Sequence, residues 1–451
     1  MLMPVYALGE ESGRSGYAAC LARLRATASP TGEAAATVGE VMREVAARGD
    51  AAVVDYMRRW TDPGFEVSRI RVSQRELASA ESALSGELRE AIGSAIANVR
   101  AYQEHVMPAD SGTVRIDGAE LGMRWSPVDR VGLCVPGGTA VLFSTLVMLA
   151  VPALVAGVLP ENIHVMSPPP TTGPGGGAAA GGADLPPDIS PLVLATAGLL
   201  GLSNVYRIGG AQGVAALGYG TDSVPQVDLI AGPGNVYVQL AKAQLGAACG
   251  TDNGFYGPSE IVTLADTSAN ARHVAADLIA QAEHDPGKCF LVVWDAAVAD
   301  RVLEQVRVQL AARGRSVAIE SALRDESCVV VAADEAEAYD VVNAFAAEHV
   351  NLAVADPASA LSKVRHAGEM FLGDATPVAA GDYHAGPSHC LPTGTTARFT
   401  SGVSVYTFLK RTGTVAYPQG MPAATVSQIA AMAQAEGLDG HAASVRVRRE
   451  G

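Results

Sequence analysis

The sequence predicts an α/β fold built on parallel sheets with crossover helices. Three observations carry this. Val131-Gly132-Leu133-Cys134-Val135-Pro136-Gly137-Gly138-Thr139 is an apolar strand running into a glycine turn, with a helix expected from Phe143 to Ala156. The same order returns at Val205-Tyr206-Arg207-Ile208 into Gly209-Gly210-Ala211-Gln212, and at Leu229-Ile230-Ala231 into Gly232-Pro233-Gly234-Asn235. Third, Tyr256 to Pro286 reads as a turn, a buried strand and a helix. Alternation of this kind belongs to parallel sheets, whose ligands bind at the C-terminal ends of strands.

Taken in order, residues 1–30 form a short arm with one amphipathic helix over Tyr17–Leu24. Val38, Val41, Met42 and Val45 keep helical spacing, and Gly49 ends that element. Ser73 and Glu76 have the spacing of a capping box. Leu84–Tyr102 reads as a further helix, and 112–125 as strands. Ile163–Met166 is a strand, followed by a Gly/Ala/Pro loop over 171–188 of flexible surface composition. Leu192–Leu200 is helical. In the 256–286 stretch, Gly257-Pro258-Ser259 is turn chemistry, Ile261–Leu264 a strand, and Asp266, Thr267 and Ser268 are candidate N-caps. The helix that follows stops before Pro286. Strands at Phe290–Trp294, Val329–Val331 and Leu352–Val354 then alternate with helices over 298–313 and 335–347, the latter ending in Glu348-His349. A last helix spans Ala424–Ala435.

Composition narrows the function. With 451 residues the chain can bury a large core and hold more than one domain. A net charge of −15 argues against nucleic acid or an anionic membrane surface as partner. The longest apolar run, Val141–Leu159, is broken by Ser144, Thr145 and Pro152, so it reads as buried and not membrane-spanning. No signal-type segment opens the chain, and the six cysteines form no CxxC pair. Both suit a reducing cytoplasm and speak against a cysteine zinc site.

Three constellations carry chemistry. Gln281 and His284 are three apart at the end of a helix, so they share a face. An imidazole and an amide oxygen can begin a metal site, or simply be exposed. Glu348 beside His349 offers two proton-transfer groups of different basicity; the alternative is a surface carboxylate and a helix-capping imidazole. Gly381-Asp382-Tyr383-His384-Ala385-Gly386-Pro387-Ser388-His389 concentrates two of the nine histidines in one loop, as a binding site or a polar surface loop. None of the glycine turns is GxGxxG or a P-loop, so they are cofactor turns of another kind or packing turns alone.

Taken together and in order, the stretches at 131–138, 209–212, 232–235, 257–284, Glu348-His349, Gly381-Asp382-Tyr383 and His441 resemble the L-histidinol dehydrogenase family over roughly residues 30–445. The resemblance implies two Rossmann-like parallel-sheet domains without the GxGxxG fingerprint. It places a discontinuous catalytic domain at 31–130 and 259–402 and an NAD-binding domain at 131–258. The 403–451 segment would enter a partner's active site. The arm and tail would make an obligate homodimer with shared active sites.

The resemblance further implies one Zn2+ per subunit on Gln281, His284, Asp382 and His441, with Glu348 and His349 as the acid–base pair. Substrate contacts would come from Ser259, Gln281, His284, His349, Asp382, His389, Glu436 and His441, and NAD contacts from Gln212, Asn235 and the Cys134 position. The family reaction oxidises L-histidinol to L-histidinal and on to L-histidine, passing a hydride to NAD each time, in the final steps of histidine biosynthesis. Three departures stand out. Cys134 replaces the usual tyrosine, the 171–188 loop is longer than usual, and Tyr256 replaces a small residue in a position to reshape the substrate pocket. Two alternatives follow: oxidation of another small polar alcohol, such as a sulfonated propanediol, or a zinc hydrolase without nicotinamide.

Overall fold

The computed structural model describes residues 2–28, 32–137, 142–169, 188–246, 248–284, 287–311 and 316–449. The Gly/Ala/Pro loop before Asp188, the Gly138-Thr139 end of the first glycine turn, and Pro286 lie outside these. In chain order the strands are β1 (Val5–Ala7), β2 (Val114–Ile116), β3 (Ala119–Pro127), β4 (Val131–Cys134), β5 (Ile163–Met166), β6 (Asn204–Tyr206) and β7 (Leu229–Ala231). They continue with β8 (Gly250–Thr251), β9 (Glu260–Ala265), β10 (Lys288–Val293), β11 (Cys328–Val331), β12 (His349–Ala353), β13 (Glu369–Leu372) and β14 (Leu409–Ala416).

Two parallel sheets organise the molecule. One has the order β1-β11-β10-β9-β12-β13, the other β6-β5-β4-β7-β8. β9 and β10 are buried along their whole length, and their sequences, EIVTLA and KCFLVV, are near-continuous apolar runs. Strands covered by helices on both faces read that way. In the second sheet, and in the first from β9 onward, the chain starts in the middle, moves outward one way, then returns to the other side; β1 is added at the edge of the first sheet. The reversal falls between β9 and β12 in the first sheet and between β4 and β7 in the second.

Helices Glu33–Arg48 and Asp50–Trp60 bury Val38, Val41, Met42, Val45, Val53 and Met57 in a core shared with Tyr206, Leu217 and Ile230 of the second sheet and its helices. Helices Gln74–Ser82 and Gly86–His105 contribute Leu77, Ile92 and Val99 to the core on the other face, beside Leu133 and Val165. The Ser73–Glu76 capping box forms as its spacing predicts. The apolar run starting near Val141 becomes a buried helix, Phe143–Ala156, with Pro152 inside it. No described helix is long and apolar enough to cross a membrane.

Four local expectations change. The Tyr17–Leu24 helix extends over Glu11–Thr27, and β1 ahead of it joins the first sheet beside β11. The 271–282 helix is capped by Asn270, whose side chain accepts from Arg272 N–H at 3.1 Å, and not by Asp266, Thr267 or Ser268. That helix ends at Ala282, so His284 lies in the following turn and not on the last helical turn with Gln281. Finally, the helix Glu335–Phe345 stops at Ala346, whose φ of 44° is left-handed, and His349 opens β12 instead of ending the helix.

The third sheet is an antiparallel ribbon, β14-β3-β2. Most of β14 is exposed. It leads to the helices Ala423–Ala435 and Asp439–Val447, whose small core of Ala430, Ala433 and Ala442 is separate from the main ones.

Candidate active site

The first sheet's candidate residues gather at the amino ends of its strands, the edge opposite to the usual one. Ser259 immediately precedes β9, and Glu348 immediately precedes β12. These strands are hydrogen-bonded neighbours, with His349 opposite Ile261. The Ala271–Ala282 helix returns across the sheet and delivers Gln281 to the same edge.

The resulting hydrogen bonds form a short relay. Gln281 Nε2 donates to Ser259 Oγ at 2.6 Å, and Ser259 Oγ donates to Glu348 Oε2 at 2.6 Å. The same carboxylate oxygen accepts Glu260 N–H at 2.8 Å. Glu348 is 7% exposed. Burial pushes its pKa well above the usual carboxylate range; the Ser259 and Glu260 hydrogen bonds oppose that, and the carboxylates of Glu260 and Asp382 reinforce it.

His349 is 2% exposed, and neither ring nitrogen has a hydrogen-bond partner among the described residues. Nδ1 lies 3.7 Å from Glu348 Oε2 and Nε2 lies 3.9 Å from Asp382 Oδ1. Both separations exceed a hydrogen bond. Burial, then the neighbouring His284 and His389, lower its pKa to about 3, so the ring is neutral at pH 7. Buried polar atoms are normally paired, and an unpaired imidazole facing two carboxyl groups is what a site built for a polar ligand leaves behind.

Asp382 sits in the short helix Ala379–Tyr383, and burial raises its pKa to about 6. Its backbone carbonyl accepts from His389 Nδ1 at 2.7 Å. A carbonyl only accepts, so Nδ1 carries the proton, and Nε2 accepts from Thr145 Oγ1 at 3.0 Å. Burial lowers the His389 pKa to about 4, consistent with that neutral tautomer. Thr145 belongs to the helix after β4, so this contact joins the first sheet's amino edge to the second sheet's carboxyl edge. Ser388 Oγ adds a bond to Met148 O of the same helix at 3.0 Å. His284 is pushed below its usual pKa by burial and lies within electrostatic reach of His349 and His389.

The remaining candidates are placed differently. Glu436 and His441 are exposed on the terminal helices, and no hydrogen bond or ion pair among the described residues ties either side chain to this cluster. Among the described residues no group of three or more His, Cys, Asp or Glu is arranged to hold a metal ion. Gln212 is buried after β6, donating weakly to Met57 Sδ at 3.5 Å, with its Oε1 unpartnered among the described residues. Asn235 is exposed and caps the Val236–Gln244 helix, accepting from Tyr237 and Val238 N–H at 3.1 and 3.2 Å. Cys134 ends β4, and burial pushes its thiol up to about 12, which makes it an inert packing group. Tyr256 is 2% exposed, with its ring 5.0 Å from Lys242 Nζ.

Sequence reasoning passed over Thr145 and Glu369. Glu369 pairs in register with His349, keeps Oε2 buried without a partner among the described residues, and has its pKa raised to about 7 by burial and by Asp382. Nothing in its local sequence marks it; only strand register does.

The histidinol dehydrogenase family model matches residues 24–449. This chain belongs to the histidinol dehydrogenase family. The histidinol dehydrogenase of a Synechococcus strain is 41% identical over 416 residues, covering 92% of each chain, and that of Gluconobacter oxydans is 40% identical over 428 residues, covering 95% of each. The crystal structure of histidinol dehydrogenase from Elizabethkingia anophelis superposes with a TM-score of 0.85 at 30% identity, over 100% of this chain and 98% of that one. The family is one of oxidoreductases acting on an alcohol and its aldehyde, and membership favours neither the sulfonated-alcohol nor the hydrolase alternative.

Proposed function

We propose that the chain catalyses the zinc- and NAD-dependent oxidation of L-histidinol through L-histidinal to L-histidine in the cytoplasm. The observation that carries this is the Gln281–Ser259–Glu348 relay set against an unpartnered, neutral His349.

The residues present fit a zinc ion. His284 is kept neutral by burial, Asp382 adds a carboxylate, and Gln281 an amide oxygen. Such an N/O set suits zinc, whose four-coordinate sites need one more donor. We assign that donor to His441 of a second copy, because in one chain it stands exposed on a terminal helix pair. Bound zinc would supply a Lewis-acid anchor for the amino alcohol, with no redox change of its own. An NAD site fits the second sheet's carboxyl edge, where Ser167 Oγ and Gln212 Oε1 are buried without partners among the described residues. Residues 131–258 form this cofactor domain in our reading.

His349 accepts the alcohol proton in the first oxidation: its ring is neutral, and neither nitrogen has a hydrogen-bond partner among the described residues. Glu348, in its ionised form, then draws a proton from the water that attacks the aldehyde. A carboxylate whose pKa is raised is a stronger base than an exposed one. Ser259 holds Glu348 in place, and His389, fixed by Thr145 and the Asp382 carbonyl, braces the wall of the substrate pocket.

Zinc removal tests the division between anchor and cofactor site. Chelator-treated protein is expected to lose histidinol binding in calorimetry while keeping its NAD affinity within about twofold, because the two sites use different residues. Equal loss of both would remove zinc from the substrate-anchoring role.

A further inference from the structure

Beside the second sheet, the helix Val236–Gln244 and the residue after β8 hold a buried ion pair that the catalytic relay does not use. Lys242 Nζ and Asp252 Oδ1 are 2.5 Å apart, and the residues are 4% and 8% exposed. Both side chains act on one residue. Asp252 Oδ2 accepts Gly232 N–H at 2.7 Å, and Lys242 Nζ donates to Gly232 C=O at 2.9 Å. Gly232 follows β7 directly and has φ +112°. A Cβ there would fall 2.5 Å from Cys134 O and 2.7 Å from Leu149 Cδ1. The turn after β7 is therefore pressed against the end of β4, and β4 and β7 flank the point where the sheet's connections diverge. In open α/β sheets, that crevice is where a nucleotide sits.

A stability role alone is a poor account of the pair. Withdrawing two charges from water costs about as much as their attraction returns, and apolar residues of the same size often serve as well. What an apolar pair cannot do is grip the N–H and the C=O of one residue from two sides. Tyr256 seals the arrangement. Its single hydroxyl proton is shared between Asp252 O and Ser401 O, each 3.3 Å away, and its N–H donates to Gln239 Oε1 at 3.3 Å. Tyr256 also leads directly into Gly257-Pro258-Ser259, so the cofactor crevice and the Glu348 relay share a fixed stretch of backbone.

We propose that Lys242 and Asp252 are positioning residues for the dinucleotide: they set the Gly232 turn in its bound shape before the cofactor arrives. The proposal rests on the NAD reading above. Preorganised backbone raises affinity by lowering the ordering cost of binding.

The test measures the NAD dissociation constant by calorimetry, together with steady-state kinetics, zinc content and melting temperature, for wild type, Lys242→Met and Asp252→Asn. The expected result for Lys242→Met is an NAD dissociation constant and KM raised about tenfold or more, with zinc content and histidinol KM held within about twofold. Asp252→Asn, which keeps an acceptor for Gly232 N–H, is expected to show a smaller shift of the same kind. A lower melting temperature with unchanged NAD affinity overturns the proposal, as does a parallel rise in both KM values. Should Lys242→Met not fold, Gly232→Ala replaces it: its Cβ displaces the same turn, and unchanged NAD affinity there also overturns the proposal. A wild type that does not bind NAD overturns the cofactor reading itself, which is visible before any variant is compared.

Discussion

Glu348 and His349 are adjacent in sequence and opposite in electrostatics. Burial drives the carboxyl towards its neutral form and the imidazole towards its neutral form, so one gains proton affinity while the other loses it. Divergent environments of this kind separate acid–base roles. Glu348→Gln is expected to slow the second oxidation by about a hundredfold or more and the first by less, measured by single-turnover NADH formation from histidinol and from histidinal. Equal slowing of both would contradict the assignment of water activation to Glu348. The importance of this pair was legible in the residue types. Its placement was not, because Ala346 adopts a left-handed conformation that nothing in its side chain announces. Thr145 was illegible for a different reason: its contact with His389 joins residues far apart in the chain.

At the scale of elements, the strands were the most legible feature, since buried parallel strands write themselves as apolar runs. Helix ends were less so. Asn270 outcompeted three nearby cap candidates, and the helix below it gave out before His284. Strand interiors also hold a titrating group away from the site. His164 on β5 is 3% exposed, bonds Tyr206 OH through Nδ1 at 2.9 Å, and has its pKa lowered by burial to about 4. The unfolded chain takes up that proton near pH 6.5, and the folded chain refuses it until about pH 4. The stability this group contributes is thus fully present above pH 6.5 and lost as pH falls towards 4. His164→Leu is expected to gain melting temperature relative to wild type on going from pH 7 to pH 4.5. A pH-independent difference would show that the imidazole is not held neutral.

At the scale of the whole molecule, the site lies where the amino edge of one sheet meets the carboxyl edge of the other. The repeated strand–turn–helix order foretold both sheets, but periodicity reports that a helix has a buried face and not which sheet receives it. That is why the packing of residues 33–105 on the second sheet could not be read in advance. The terminal helix pair is the other long-range feature, with Met432 68% exposed and Leu438 42% exposed beside Glu436 and His441. If it completes a partner's site, His441→Ala and Glu348→Gln chains, each strongly impaired alone in forming histidine, recover about a quarter of wild-type histidine formation when refolded together, because half the dimers are mixed and each mixed dimer has one intact site. No recovery would return His441 to its own chain or remove it from the site. The proposed four-electron oxidation is tested by its stoichiometry: NADH formed, by absorbance, per L-histidinol consumed, with and without chelator. Two NADH per histidinol, abolished by chelation and restored by zinc, is the predicted result; one NADH per histidinol, or reduction indifferent to zinc, would contradict it.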